Sequence, residues 1–314
     1  MALIYLINSW PVEEWTTAMR RQAPDLDIRT WPDAGRLEDI TYAMAWLPPA
    51  NVLKSLPNLK LIFSLGAGVD AILKDPTLPD DVPLARIAEP DLTMRMSEYV
   101  VLQVLLHHRQ QRRHDENQRH RRWEPFPERS ASAVSVGVMG LGVLGTDAAQ
   151  KLKLLGFKVA GWSRSRKSIP GIDCFAGPQE FDSFLERTDI LVCLLPHTPE
   201  TTGIINRDLI AKLSRKGPLG APVIINAGRG KQQVEGDILA ALDSGALHAA
   251  SLDVFATEPL PESSPFWLHP KVTVTPHAAA DSDPEMITAY VLRQIRRHQQ
   301  GLSVENIVDR KRGY

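Results

Sequence analysis

Short apolar runs recur along this chain, separated by amphipathic stretches and by turns carrying Gly and Pro. In the first third, runs at residues 3–7, 26–30, 42–47, 59–65 and 85–87 predict strands. Helices are predicted at 12–23, entered through Pro11, and at 52–56. A turn is predicted at 89–92. Residues 96–122 contain neither Pro nor Gly and predict one long helix, apolar in its first half at Tyr99, Val100, Leu102, Val104 and Leu105. Pro125, Pro127 and Ser130 then mark the passage to a second region. There, strands predicted at 134–138, 157–162, 190–194, 223–226, 249–254 and 272–275 alternate with helices at 182–186, 207–213 and 235–244. A last helix is predicted at 284–300. Such alternation implies parallel sheets flanked by helices, an α/β fold built twice over.

Residues 133–167 hold the strongest local signal. The run with Val134, Val136 and Val138 leads into Gly140, Gly142 and Gly145, then a segment of helical spacing (Ala148, Leu152, Leu155), then the strand at 157–162. In this strand–turn–helix–strand setting the first glycine permits a tight turn. The second admits a pyrophosphate near the backbone, the third allows close helix packing, and the phosphates meet the helix N-terminus. An ordinary α/β turn explains the glycines less well. An acidic residue for the adenosine ribose is expected about 20 residues on. The chain reads Trp162, Ser163, Arg164, Ser165, Arg166, Lys167 there. Hydroxyls and cations suit a 2′-phosphate, so NADP(H) is expected over a weaker NAD(H).

Composition adds limits. The 314 residues suffice for two domains, and a formal charge of -1 with 43% hydrophobic residues gives no overall bias towards nucleic acid or membrane. The N-terminus reads as a buried first strand rather than a signal peptide. Cys174 and Cys193 lack metal-like spacing, so no metal site is expected and a reducing, cytoplasmic setting is. Residues 107–122 carry six Arg and four His against Asp115 and Glu116. A solvated helix face, free or beside a partner subunit, fits these better than a nucleic-acid footprint, since Trp123 is the single nearby aromatic.

The predicted strands of the second region end in polar turns, and ligands bind at such carboxyl ends in open parallel sheets. Reduction of a carbonyl by a nicotinamide needs a proton donor, and a carboxylate substrate needs a fixed cation. His277 can supply the proton. Glu258 beside the ring would hold its tautomer and favour the imidazolium. Arg229, between two glycines, can clamp a carboxylate and polarise a carbonyl. His197 competes with His277 for the acid role, and spacing does not rank them. Gly66, Ala67 and Gly68 after the strand at 59–65 serve equally as an anion-binding turn or as a plain connection.

The set GVMGLGVLG, CLLPHTPET, INAGRG, SLDVFATEPLP and VTPHAA, in this order, resembles the D-isomer-specific 2-hydroxyacid dehydrogenase family, and within it the bacterial glyoxylate/hydroxypyruvate reductase A branch. The resemblance covers almost the whole chain. It implies a catalytic set of Arg229, Glu258 and His277, with His277 as general acid and Arg229 orienting the keto acid. His197 is placed near the cofactor instead. Expected cofactor contacts are Met139, Gly140, Gly142, Val143, Leu144 and Gly145, then Trp162, Ser163, Arg164, Ser165 and Lys167. Leu195, Pro196, His197, Thr202, Ala227, Gly228 and Asp253 complete them. Substrate contacts are expected from Trp46, Leu65, Gly66, Ala67 and Gly68, besides Arg229 and His277. Glu258 argues against a formate dehydrogenase, which carries Gln there.

The resemblance further implies two Rossmann-like domains. One is a discontinuous, flavodoxin-like substrate domain of residues 1–98 plus 280–314. The other is an NADP-binding domain of residues 99–279, through which a homodimer forms. The expected reaction is NADPH-dependent reduction of small 2-keto acids, glyoxylate to glycolate and hydroxypyruvate to D-glycerate. A different 2-keto acid, or a non-enzymatic dinucleotide sensor, is the alternative. Trp46, Leu65, Met94, Phe266 and Trp267 are candidates to limit substrate size, although composition alone explains each better as a core or interface side chain than as a substrate contact.

Overall fold

The first strand, β1 (Ala2–Ile7), is the apolar run ALIYLI, buried along all but its last residue. Burial on both faces demands neighbours on both edges, and β1 lies between β2 (Asp27–Thr30) and β3 (Ile40–Trp46). β4 (Leu61–Ser64) and β5 (Leu84–Ala85) extend the sheet in the order β2-β1-β3-β4-β5, with every pairing parallel. That is the flavodoxin-like order. The computed structural model describes residues 1–8, 11–66, 68–311 and 313. It resolves into two units, Met1–Leu92 with Asp281–Tyr314, and Thr93–Ala280.

Two helices of the first unit pack on each other, α1 (Glu13–Gln22) and the C-terminal α9 (Pro284–Gln299). α9 starts where the sequence predicts because Asp283 accepts from the Glu285 and Met286 N–H groups and Pro284 occupies the first turn. Its buried face carries Ile287, Tyr290, Val291 and Ile295. The predicted helix at 52–56 is only a single 3₁₀ turn, Leu53–Ser55.

The second unit holds seven parallel strands. They are β6 (Ser135–Met139), β7 (Lys158–Ser163), β8 (Asp173–Ala176), β9 (Ile190–Cys193), β10 (Val223–Asn226), β11 (Ala249–Leu252) and β12 (Val272–Val274). Their order is β12-β11-β10-β9-β6-β7-β8. The chain leaves β6 in one direction for β7 and β8, then returns to β9 on its other side, so the switch point lies between β6 and β9. The apolar runs read as continuous because both faces are covered. Val136, Val138, Ile190, Val192, Val223 and Ile225 enter one core, and Met139, Leu191, Cys193 and Ile224 the other. β8 is not predicted from the sequence: a four-residue edge strand with one exposed and three half-buried positions has no apolar signature.

The long helix predicted at 96–122 is two helices. α3 (Pro90–His108) begins six residues earlier than predicted, and α4 (Gln111–Arg119) follows. The residues expected to form a turn instead begin α3: Glu89 accepts from the Asp91 and Leu92 N–H groups at 2.8 and 3.2 Å, ahead of Pro90. The break falls at Gln110, left-handed at φ +50°. His107, expected in a solvated basic face, is instead 4% exposed. It reaches the hydroxyl of Ser251 at 2.8 Å, while that hydroxyl donates to Gln103. Burial, with the charge of Arg112, pushes its pKa down to about 3, so this imidazole is neutral.

Further along the basic run, Arg109 pairs with Glu128, Arg113 with Glu124, and Arg119 and His120 with Glu116. Arg112 donates to the carbonyls of Pro270 and Val272. Much of the apparent cationic stripe is thus neutralised within the second unit itself. No helix among the described residues is long and apolar enough to cross a membrane.

Candidate active site

α5 (Val143–Leu154) follows β6 directly, with Gly142 as its N-cap and no side chain capping it. Gly140 adopts φ +105°, which a side chain would resist. A Cβ on Gly142 would project into open space, whereas one on Gly145 would collide with the Gly140 carbonyl. Open backbone in front of an uncapped helix N-terminus, closely packed behind, fits a dinucleotide pyrophosphate. Val143 and Leu144 begin this helix, and Met139 ends β6 beneath it.

At the end of β7 the side chains divide. Trp162 is half-buried, tilted against Phe181, and its indole N–H donates to the Gly177 carbonyl. Ser163 is buried, and its hydroxyl donates to the Ser165 carbonyl at 2.8 Å, stiffening the turn rather than facing outward. Arg166 is held by Glu180 and the Cys174 carbonyl. Arg164, Ser165 and Lys167 are exposed. No carboxylate occupies residues 162–167. The turn after β9 contains Leu195, Pro196 and His197, whose Nε2 lies 2.9 Å from the Thr202 hydroxyl. Ala227 and Gly228 follow β10.

The candidate acid stands at the end of β12. His277 Nδ1 lies 2.8 Å from Glu258 Oε2, and the other oxygen, Oε1, accepts from the Phe255 N–H at 2.9 Å. Burial works against the ionised form of Glu258, yet it is outweighed. Hydrogen bonds from His277 and Phe255, with the charges of His277 and Arg229, hold its carboxyl below the usual range. The stability that this pairing adds is therefore present above the ordinary glutamate value and is lost as pH falls through the lower folded value. Both side chains are 37% exposed, so screening keeps that contribution small.

His277 itself is left-handed, φ +54°, a conformation uncommon for residues other than glycine. Asp253, 1% exposed, holds it there. Its carboxylate accepts from the Thr275 hydroxyl at 2.6 Å and from the Ala278 and Ala279 N–H groups at 2.9 and 3.1 Å, while its carbonyl takes the His277 N–H at 2.8 Å. Asp253, expected at the cofactor, thus pins the histidine turn. This role leaves no trace in the sequence. The two histidines differ in their partners: His277 bonds a carboxylate and His197 a threonine.

Arg229 follows β10, half-buried, with Nη1 donating to the Gly228 carbonyl at 2.7 Å. A Cβ on Gly230 would collide with the Phe255 carbonyl, so the Arg229 turn and the turn before Glu258 meet backbone to backbone. A guanidinium, an imidazole and a carboxylate that orients it thus stand on adjacent strand ends β10, β11 and β12. Such a set can bind an anion and deliver a proton.

In the first unit, Trp46 ends β3 and its ring lies over Gly66, leaving no room for a Cβ there. The Ser64 hydroxyl donates to the Gly68 carbonyl at 2.8 Å, and that of Ser282 to the Leu65 carbonyl at 3.2 Å. Ala67 lies outside the described residues. Leu65 is 1% exposed and Phe266 likewise, packed on Phe255, so their side chains belong to the cores rather than to a pocket wall. Met94 and Trp267 are exposed, the latter donating to the Pro261 carbonyl.

Residues 101–279 match the family profile described as D-isomer specific 2-hydroxyacid dehydrogenase, NAD binding domain. The chain belongs to that family. It is 39% identical over 100% of both chains to a glyoxylate/hydroxypyruvate reductase A of Yersinia enterocolitica. The NADPH-dependent glyoxylate/hydroxypyruvate reductase of Sinorhizobium meliloti, solved with NADP and sulfate, superposes with a TM-score of 0.95 at 46% identity, covering 100% of each chain. A probable 2-hydroxyacid dehydrogenase of Rhizobium etli, solved with NADP, HEPES and L(+)-tartaric acid, gives 0.94 at 45% identity, over 100% of this chain and 99% of that one. The two-unit α/β architecture is that of the family, and the chain is a 2-hydroxyacid dehydrogenase.

Proposed function

We propose that the protein reduces small 2-keto acids with NADPH, glyoxylate to glycolate and hydroxypyruvate to D-glycerate. The observation that carries this reading is the His277–Glu258 pair beside Arg229, on neighbouring strand ends of a dinucleotide-type sheet. The bound dinucleotide supplies a hydride to the keto carbon. Arg229 holds the substrate carboxylate and draws electron density towards the carbonyl oxygen. His277 gives that oxygen a proton from Nε2, so that the carbonyl becomes a hydroxyl. Glu258 holds Nδ1 and stabilises the imidazolium until the proton leaves. A dinucleotide sensor would have no task for this set.

The unit Thr93–Ala280 takes the dinucleotide in this reading, and the backbone around Gly66 and Gly68 takes part in substrate binding. The exposed Arg164, Ser165 and Lys167 favour a 2′-phosphate. The two backbone-bonded side chains, Ser163 and Arg166, act by shaping that turn. The enzyme is cytoplasmic and homodimeric in the same reading, and analytical ultracentrifugation should accordingly return twice the chain mass.

A panel of 2-keto acids assayed with NADPH and NADH tests activity, substrate and cofactor together. Glyoxylate and hydroxypyruvate should be reduced, with kcat/KM at least about tenfold higher for NADPH, the worth of one charge-assisted hydrogen bond. A preference for NADH would sink the cofactor assignment. Absence of turnover with every keto acid would sink the reaction.

A further inference from the structure

Lys231, Gln232 and Gln233 are three consecutive polar residues, yet the Gln232 side chain is 0% exposed. Its amide is fully used. Nε2 donates to the carbonyls of Leu195 and Pro196 at 2.7 and 3.0 Å. Oε1 accepts from the Arg229 N–H at 2.8 Å and from the Cys193 thiol at 3.4 Å. Two donor positions and two acceptor positions are all that a glutamine amide has. Burial pushes the Cys193 thiol up to about 12, which keeps its proton available for that contact.

The surroundings are shaped to admit this amide. A Cβ on Gly228 would collide with Gln232 Oε1, so glycine before Arg229 makes room for it. The Gln232 N–H returns to the Arg229 carbonyl at 3.1 Å, closing the turn on itself. Gln233 ties the same turn elsewhere, accepting from Asn226 and donating to the Val254 carbonyl, both at 2.9 Å.

We propose that Gln232 is a positioning residue for Arg229, locking the Arg229 turn at the end of β10 to the Leu195–Pro196 turn at the end of β9. The inference rests on the reading of Arg229 as the keto-acid clamp. Arg229 carries its guanidinium on a flexible chain, and its own contact through Nη1 is to the adjacent carbonyl. The backbone from which that chain departs therefore sets where the clamp can reach. Only an amide meets the need. Methionine of similar length offers neither donor nor acceptor, and a carboxylate would face two carbonyl oxygens with no proton to share.

Two variants test it, each compared with wild type for folding by circular dichroism. Gln232→Met should raise KM for glyoxylate about tenfold while kcat falls less, because the buried N–H and carbonyls left unpaired let the clamp shift. Gln232→Glu should behave differently with pH. At about pH 5.5 the buried carboxyl is protonated and its O–H restores one of the two bonds to the Leu195 and Pro196 carbonyls. Glyoxylate kcat/KM should then approach wild type, and fall as the carboxyl ionises towards about pH 7. Relative to wild type at each pH, Gln232→Glu should show that inflection and Gln232→Met should not.

A folded Gln232→Met enzyme with wild-type KM, or a Gln232→Glu pH profile parallel to wild type, would overturn the positioning role. If Gln232→Met does not fold, the pH profile of Gln232→Glu decides alone. A wild-type enzyme that reduces no 2-keto acid would overturn the function reading and the positioning role with it. A silent Gln232→Met beside an active wild type overturns only the latter.

Discussion

Replacing His277 by Ala should lower kcat for glyoxylate reduction by about three orders of magnitude, in the range that a positioned general acid contributes. KM for glyoxylate and for NADPH should stay within about twofold, since the imidazole acts on the developing alkoxide and not on the ground state. The structure supplies the reason for a loss this large. The ring is oriented by the 2.8 Å contact of Nδ1 with Glu258, and its backbone by three bonds to Asp253 around a left-handed residue. All of that order serves one atom, Nε2. Removing the ring leaves bulk water as the donor.

A second variant separates chemistry from backbone. His277→Asn tolerates the left-handed conformation better than Ala does, so it preserves the turn while removing the titrating group. It should lose activity as severely as His277→Ala and melt closer to wild type. Near-normal reduction by either variant would mean that the proton comes from another group, and His197 would be the next to test.

The sheets were legible in the sequence because buried parallel strands are continuous apolar runs with turn residues at their ends. β10 falls where its four apolar and polar letters place it, and β6, β7, β9, β11 and β12 lie within two residues of prediction. What the pattern does not carry is polarity under the surface. His107 and Gln232 sit in runs that look solvated, and both are buried because their partners, Ser251, Leu195 and Pro196, arrive from distant strands. The same limit applied to the site. Arg229, Glu258 and His277 lie far apart in the chain, and spacing alone ranked neither His277 over His197 nor Asp253 as the pin of the histidine turn. The family resemblance supplied the first, and only three-dimensional contacts supplied the second. β8 escaped because an edge strand of four residues needs little apolar surface.

Arg229→Ala is expected to damage binding and turnover together. KM for glyoxylate should rise more than about tenfold and kcat/KM fall by about three orders of magnitude, because one group makes charge-assisted bonds to the carboxylate and also polarises the reacting carbonyl. Arg229→Lys keeps the charge but lacks the planar fork, so it should recover only part of the loss. Added guanidinium ion should rescue Arg229→Ala more than Arg229→Lys, since the alanine leaves the space empty.

The change should also be felt at Glu258. The charge of Arg229 is among the influences that hold the Glu258 carboxyl low, after the opposing effect of burial and the bonds from His277 and Phe255. Without that cation the carboxylate is less favoured, so the pH at which Glu258 protonates rises. The acid limb of the kcat/KM profile should accordingly move to higher pH in Arg229→Ala and stay in place in Arg229→Lys, which retains a cation. An unshifted acid limb in Arg229→Ala, with glyoxylate KM unchanged, would show that Arg229 neither clamps the substrate nor acts on the pair beside it.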